Sequence, residues 1–165
     1  MERAAHSVRV PTNALATRAH LLAAVDRWEA AAQQLRVLST LAPGEAKHHF
    51  NLGYTLQQIQ AWTSAEGAFR RALALAPRMD LAWFGLGEVL SAQGRYAEAE
   101  WAWLRQVELQ PFCPDGLERL VRLYVQQGQW QQAEQSLARL RSFAPRRALA
   151  LESSLPDGDV WSQTA

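Results

Sequence analysis

The chain has 165 residues and a mass of 18.5 kDa, with 48% hydrophobic and 20% charged residues, a formal net charge of +1 and a sequence pI near 8.0. That is enough apolar material to bury a core, and too even a charge balance to favour a polyanion or an acidic membrane surface. The single cysteine, Cys113, excludes an internal disulfide, and no stretch approaches the roughly 20 apolar residues that span a bilayer.

Residues 1–11 are expected to form an N-terminal tail, with charged ends and no apolar run of secretory length, so a cytoplasmic protein is expected. Lys47 is the only lysine among 17 basic residues, a bias that suggests a GC-rich bacterial genome. From residue 12 the chain counts in 34s. The endings LRVLSTLAP, FRRALALAP, WLRQVELQP and LARLRSFAP close at Pro43, Pro77, Pro111 and Pro145, each 34 residues after the last. Four units follow, 12–45, 46–79, 80–113 and 114–147, each with two amphipathic helical patterns around a short break. No segment alternates with the period of two that marks a strand, so the fold class is all-α.

Within each unit the break falls at Asp26, Gln60, Gly94 or Gly128, where a left-handed residue is expected. Glycine adopts that conformation at little cost, whereas Asp26 and Gln60 are strained by up to about 1 kcal/mol each. An aromatic follows, Trp28, Trp62, Tyr96 or Trp130, and three residues later an alanine, Ala31, Ala65, Ala99 or Ala133. Four further on stands Leu35, Phe69, Trp103 or Leu137, one turn along the same face. Small and bulky residues at fixed spacing are a code for close helix packing. Five tryptophans, Trp28, Trp62, Trp83, Trp103 and Trp130, fall in the packing columns and are expected in the core. Trp101 shares a column with Gln33, Gly67 and Gln135 and is expected to face solvent, as an interface anchor or lying along its own helix. After the fourth unit, RRALALESSL (146–155) is expected to cap the array, its residues 148–155 lying beyond the last repeat. Residues 156–165, PDGDVWSQTA, are expected to form a flexible tail unless Trp161 docks.

These columns resemble the tetratricopeptide repeat family, whose pattern is a Trp, Leu-Gly, an aromatic, an Ala with Phe four later, and a closing Pro. The third unit carries it most fully, in Trp83, Leu86-Gly87, Leu90, Gly94, Tyr96, Ala99, Trp103 and Pro111. The second has Leu52-Gly53, Ala65, Phe69, Ala72 and Pro77, with His49 in place of the tryptophan. The fourth has Leu120, Tyr124, Gly128, Ala133 and Pro145, with Val121 at the small position and Leu117 at the tryptophan's. The first is the most degenerate, with Leu15, Arg18 and Ala19. The resemblance implies helix-turn-helix repeats stacked as a right-handed superhelical solenoid, its first helices lining a concave face.

The same resemblance selects the residues of that face. They are Lys47, Phe50, Asn51, Tyr54 and Gln58 in the second unit, and Leu81, Phe84, Glu88 and Ser91 in the third. The fourth contributes Glu118, Arg119, Arg122 and Gln126; the first contributes Asn13, Ala16, Thr17 and His20, which offer little anchoring area. Phe50, Tyr54, Leu81 and Phe84 are expected to form an apolar centre beside a basic patch of Arg119 and Arg122. The four-residue spacing of Glu118 and Arg122 predicts a pair on one helix, leaving Arg119 the freer charge. Aromatic anchors bounded by charge suit a protein or peptide segment with apolar and acidic residues. The family's clamp for chaperone C-terminal carboxylates is absent, because Asn51 and Arg119 lie two units apart and Gly85 and Asp115 hold other clamp positions.

Candidates for chemistry are few. His48 and His49 are adjacent, hence about 100° apart on a helix and unable to chelate one metal together. No phosphate loop, nucleophile elbow or Ser-x-x-Lys motif occurs, so neither catalysis nor a cofactor is expected. Glu98 and Glu100 read as a solvated face, and the cluster Arg139, Arg141, Arg146 and Arg147 as helix-end charges opposing the dipole. The function expected is a non-catalytic adaptor or scaffold. The alternatives are a secretion chaperone resembling the tetratricopeptide-type chaperones of type III secretion, holding an unfolded client, and less readily an RNA-binding protein. Self-association through the C-terminal end is a further expectation.

Overall fold

The computed structural model describes residues 12–155; the tails 1–11 and 156–165, with Trp161 and the flexibility expected of the second tail, lie outside the described residues. Among the described residues all regular structure is helical. The chain divides into two compact units, one ending at Pro77 and the other beginning at Arg78.

In the first unit α1 (Thr12–Ala24) packs on α2 (Trp28–Leu41), α2 on α3 (Ala46–Gln58) and α3 on α4 (Trp62–Leu75). In the second, α5 (Asp80–Ala92), α6 (Tyr96–Leu109), α7 (Pro114–Gln126), α8 (Trp130–Phe143) and α9 (Pro145–Ser154) pack in sequence, and α9 also touches α7.

The turn chemistry repeats with the period. Asp26, Gln60, Gly94 and Gly128 all have positive φ, at 57°, 56°, 74° and 69°. The residue after each donates its N–H to a carbonyl five back: Arg27 to Leu22, Ala61 to Leu56, Arg95 to Leu90 and Gln129 to Tyr124. That bond closes a helix end whose carbonyls would otherwise be orphaned. The second helices end alike at Ala42, Ala76, Gln110 and Ala144, with φ from −137° to −130°. A following proline disfavours the helical conformation at these residues, so the four prolines stand at matching corners.

The core is built from trading volume between columns. Ala31, Ala65, Ala99 and Ala133 are fully buried. A Cβ on Gly53 would lie 2.8 Å from the Phe69 ring, and one on Gly87 2.5 Å from Trp103 Cδ1, so each ring occupies the space its glycine vacates. In the fourth repeat Val121 stands at the glycine position and the smaller Leu137 at the ring's, both buried. Close packing makes either combination workable and mixtures of them costly.

Of the five tryptophans expected in the core only Trp103 is fully buried. Trp28, Trp62 and Trp83 are half-buried, and Trp130 remains 41% exposed. Trp28, Trp62 and Trp130 are the first residues of α2, α4 and α8, where a ring meets the fold on one side only. Trp101 is 52% exposed, as its column implied, and sets its edge against Trp83 with centroids 4.9 Å apart.

The C-terminal helix starts at Pro145, a residue before the expected cap, because proline suits the first helical position. It keeps the repeat's phase. Leu151 continues the column of Leu15, His49 and Leu117 and is buried like them. Ser154 falls in the column of Leu52, Leu86 and Leu120, which are buried, but is itself exposed. Among the described residues no second helix covers that position, and the Ser154 hydroxyl gives that face of α9 a polar surface.

Candidate functional site

In the first unit, small side chains of α1 leave space beside aromatic side chains of α3. A hollow of about 440 Å³ is lined by Ala16, Ala19, His20, Ala23 and Ala24 from α1, Trp28 and Leu35 from α2, and Phe50, Asn51, Tyr54 and Thr55 from α3. Tyr54 is 48% exposed and meets Trp28 edge-on at 6.2 Å. Phe50 is half-buried and tilts against the core ring of Phe69 at 6.0 Å, so it serves packing as well as the hollow. Asn51 is exposed, and the exposed Lys47 Nζ lies 3.5 Å from Glu45. The first repeat's residues were expected to contribute little. Their smallness is what opens the hollow, a consequence visible only when α1 is set against α3.

His48 and His49 are both buried. His49 Nε2 lies 3.0 Å from the Pro43 carbonyl, in the helix column where the third repeat has Trp83. Burial, then the neighbouring Lys47, holds the His48 pKa below its ordinary value, which favours a neutral ring.

In the second unit the selected positions are charged and tied together. Arg119 Nε donates to Glu88 Oε1 at 2.9 Å, and its guanidinium lies over the Phe84 ring, 6.0 Å from the centroid. Arg119 is therefore paired, contrary to the expectation that it is the freer charge. Nor does Glu118 pair with Arg122: Arg147 of α9 reaches back to it at 2.5 Å and to Asp115 at 2.9 Å. Long guanidinium side chains span neighbouring helices, so partners from the adjacent repeat outcompete the four-residue neighbour. Arg122 donates instead to Ser154 Oγ at 3.0 Å, a neutral partner, and has no acidic one among the described residues. Leu81 stands 56% exposed.

Burial pushes the Glu88 carboxyl above its ordinary range, against the opposing pull of Arg119. Trp103 Nε1, buried beneath it, has no partner at hydrogen-bond geometry, although its dipole favours the Glu88 carboxylate. Glu88, Ser91 and Ala92 of α5, Trp103 of α6, and Arg119, Arg122, Leu123 and Gln126 of α7 line a second hollow of about 340 Å³. In the same unit Glu100, expected on a solvated face, accepts the Tyr124 hydroxyl at 2.8 Å; burial and then that bond raise the phenol's pKa. Arg141, expected mainly to oppose a helix dipole, is held by Glu134 at 2.8 Å and Glu152 at 2.6 Å.

Among the described residues no group of three His, Cys, Asp or Glu side chains could hold a metal ion, and no helix is long and apolar enough to cross a membrane. The two hollows and their rims offer space in which another molecule could be held.

Solved structures of similar fold are tetratricopeptide proteins. MamA superposes with a TM-score of 0.77 at 20% identity, over 87% of this chain and 79% of that one. MamA 41-end from Desulfovibrio magneticus RS-1 gives 0.71 at 17%, over 88% and 78%. The first TPR of Spaghetti (RPAP3), solved bound to the HSP90 peptide SRMEEVD, gives 0.66 at 16%, over 68% and 89%. At such identities the likeness speaks for the fold alone. A comparison of the sequence with curated proteins finds no match. Tetratricopeptide repeat models match residues 16–79 and 55–115, and a further one matches 117–142. With the 34-residue period, the repeated helix ends and this match over more than half its length, the chain belongs to the tetratricopeptide repeat family.

Proposed function

We propose that the chain is a non-catalytic adaptor or scaffold that binds a segment of a partner protein against the first helices of its repeats. The residues proposed to make contact are Lys47, Phe50, Asn51 and Tyr54 in the first unit, and Leu81, Phe84, Glu88, Arg119 and Arg122 in the second. The observation that carries this reading is the hollow between α1 and α3, walled by Phe50 and Tyr54 and edged by the amide of Asn51. Apolar space with a few polar groups at its rim is what an anchoring side chain needs. The partner segment is proposed to bring an apolar anchor to the first unit and an acidic residue to Arg122. Arg119, Arg141 and Arg147 are each paired with a carboxylate, which removes three charges from any basic patch and favours a peptide partner over RNA.

Ala16→Phe tests the reading without deleting a contact, by filling the hollow from its α1 wall. Peptides selected on the wild-type chain from a library with apolar and acidic positions should lose at least about tenfold in affinity for the variant, about 1.4 kcal/mol. Unchanged affinity, with helicity and melting also unchanged, would remove the first-unit hollow as the site.

A further inference from the structure

The hollow between α5 and α7 is lined by two cations, one anion and a ring whose donor lacks an acceptor. Arg119 and Arg122, three residues apart on α7 and so neighbours on one helix face, line it together with Glu88 of α5. Glu88 accepts from Arg119 Nε at 2.9 Å, while Arg122 has no carboxylate among the described residues and donates to Ser154 Oγ at 3.0 Å. The hollow is one carboxylate short. Beneath Glu88 the Trp103 side chain is 3% exposed, and its Nε1 is closed to solvent without a partner at hydrogen-bond geometry. A buried donor in that state costs stability until an acceptor turns to it. The Glu88 carboxylate is near enough for the indole dipole to favour its charged form, yet it is bound to Arg119.

We propose that Glu88 is a movable placeholder for a carboxylate that the partner supplies. When an aspartate or glutamate side chain of the partner segment enters the hollow and takes Arg119 and Arg122 together, the Glu88 carboxylate turns onto Trp103 Nε1. The displacement is cheap, because Glu88 exchanges one donor for another and Trp103 gains the acceptor it lacks. Arg119 keeps its place meanwhile, since its guanidinium lies over the Phe84 ring, 6.0 Å from the centroid. Charge selects the ligand. Glu88 and one further carboxylate balance the two guanidinium groups, whereas a phosphate dianion exceeds them. In the empty hollow Glu88 competes for Arg119, so a loosely held anion is refused and a side chain presented by a bound segment is accepted. Trp103 is then a positioning residue for recognition as well as the core ring of its repeat.

This inference deepens the proposed function and rests on its reading that an acidic residue of the partner comes to the second unit. The first arm of its test needs no partner. In the ¹⁵N-labelled full chain the indole N–H resonance of Trp103, assigned by its loss in Trp103→Phe, should move downfield in Arg119→Gln, because Glu88 without its cation turns to the indole. Adding Glu88→Ala to Arg119→Gln should abolish that movement. The second arm titrates acetyl-aspartyl-amide into the wild type: the same resonance should move toward its Arg119→Gln position and saturate, and acetyl-asparaginyl-amide should leave it in place. Trp103→Phe, with helicity checked by circular dichroism, should weaken this binding at least about threefold and leave it unchanged in a Glu88→Ala background. A Trp103 resonance unmoved in Arg119→Gln overturns the placeholder and leaves the proposed function standing. A loss on Trp103→Phe that is equal with and without Glu88 overturns it as well, since the ring would then serve packing alone. Acetate acting as strongly as acetyl-aspartyl-amide overturns the assignment to a partner's side chain in favour of a small free carboxylate. A first arm that succeeds with no response to any probe strikes instead the acidic-partner reading on which the inference rests.

Discussion

In the first unit the face of α1 and α3 is a hollow with aromatic walls, whereas in the second the equivalent positions on α5 and α7 hold Glu88, Arg119 and Arg122 bound to neighbours. His20, Tyr54, Glu88 and Arg122 are successive members of one 34-residue column, as are Ala16, Phe50, Phe84 and Glu118. The packing columns around them scarcely change: Ala31, Ala65, Ala99 and Ala133 are all fully buried. A repeat array separates the two tasks physically. Residues between helices must match in volume, while residues on the exposed side of a first helix are free to differ, and one scaffold carries an apolar site and a charged one.

The most damaging way to break the comparison is to add one carbon to the second unit's packing. Gly87→Ala should lose about 2 kcal/mol, because the Trp103 ring is buried and the added Cβ overpacks it. Gly53→Ala, with a slightly longer approach to Phe69, should lose less. Gly87→Val with Trp103→Leu, which copies Val121 and Leu137 of the fourth repeat, should be less destabilised than the two single changes summed. Urea denaturation of the wild type, the two single variants and the double variant measures the coupling, and strict additivity would mean that these columns do not trade volume.

A smaller effect is expected at the charged face. Arg119→Gln leaves the mostly buried Glu88 carboxylate without its cation and should lose about 1 kcal/mol, between the values for exposed and buried pairs. Asn51→Ala, at the exposed rim of the first-unit hollow, should leave stability within about 0.5 kcal/mol. Equal losses at the two sites would erase the distinction between a free face and a paired one. The smallest effect is a gain. Gln60→Gly relieves a left-handed non-glycine residue in the first unit and should add about 0.5 kcal/mol, read as a small rise in Tm. A loss instead would show that the Gln60 side chain contributes something the turn geometry does not reveal.

Much of the fold was legible before any coordinates, since the repeat's contacts are encoded at fixed short spacings. The left-handed turns at Asp26 and Gln60 followed from their alignment with Gly94 and Gly128. The exposure of Trp101 followed from its column. Less was legible at the tryptophan column that opens each second helix, because an aromatic at a helix start looks the same in sequence whether the fold covers one side of it or both. The phase of α9 could have been found from Leu151, 34 residues after Leu117.

By itself the sequence determined the period, the helix pairs, the turns and the small-against-large packing, all of which depend on residues a few positions apart or exactly one repeat apart. Tertiary structure alone decided which arginines are paired and where space opens. Glu88 with Arg119, Glu118 with Arg147 and Arg122 with Ser154 each join residues on different first helices, across a gap that only long side chains bridge. The hollow beside Phe50 and Tyr54 exists because α1 presents alanines where α3 presents rings, and empty volume is a property of two surfaces brought together, never of one stretch of chain.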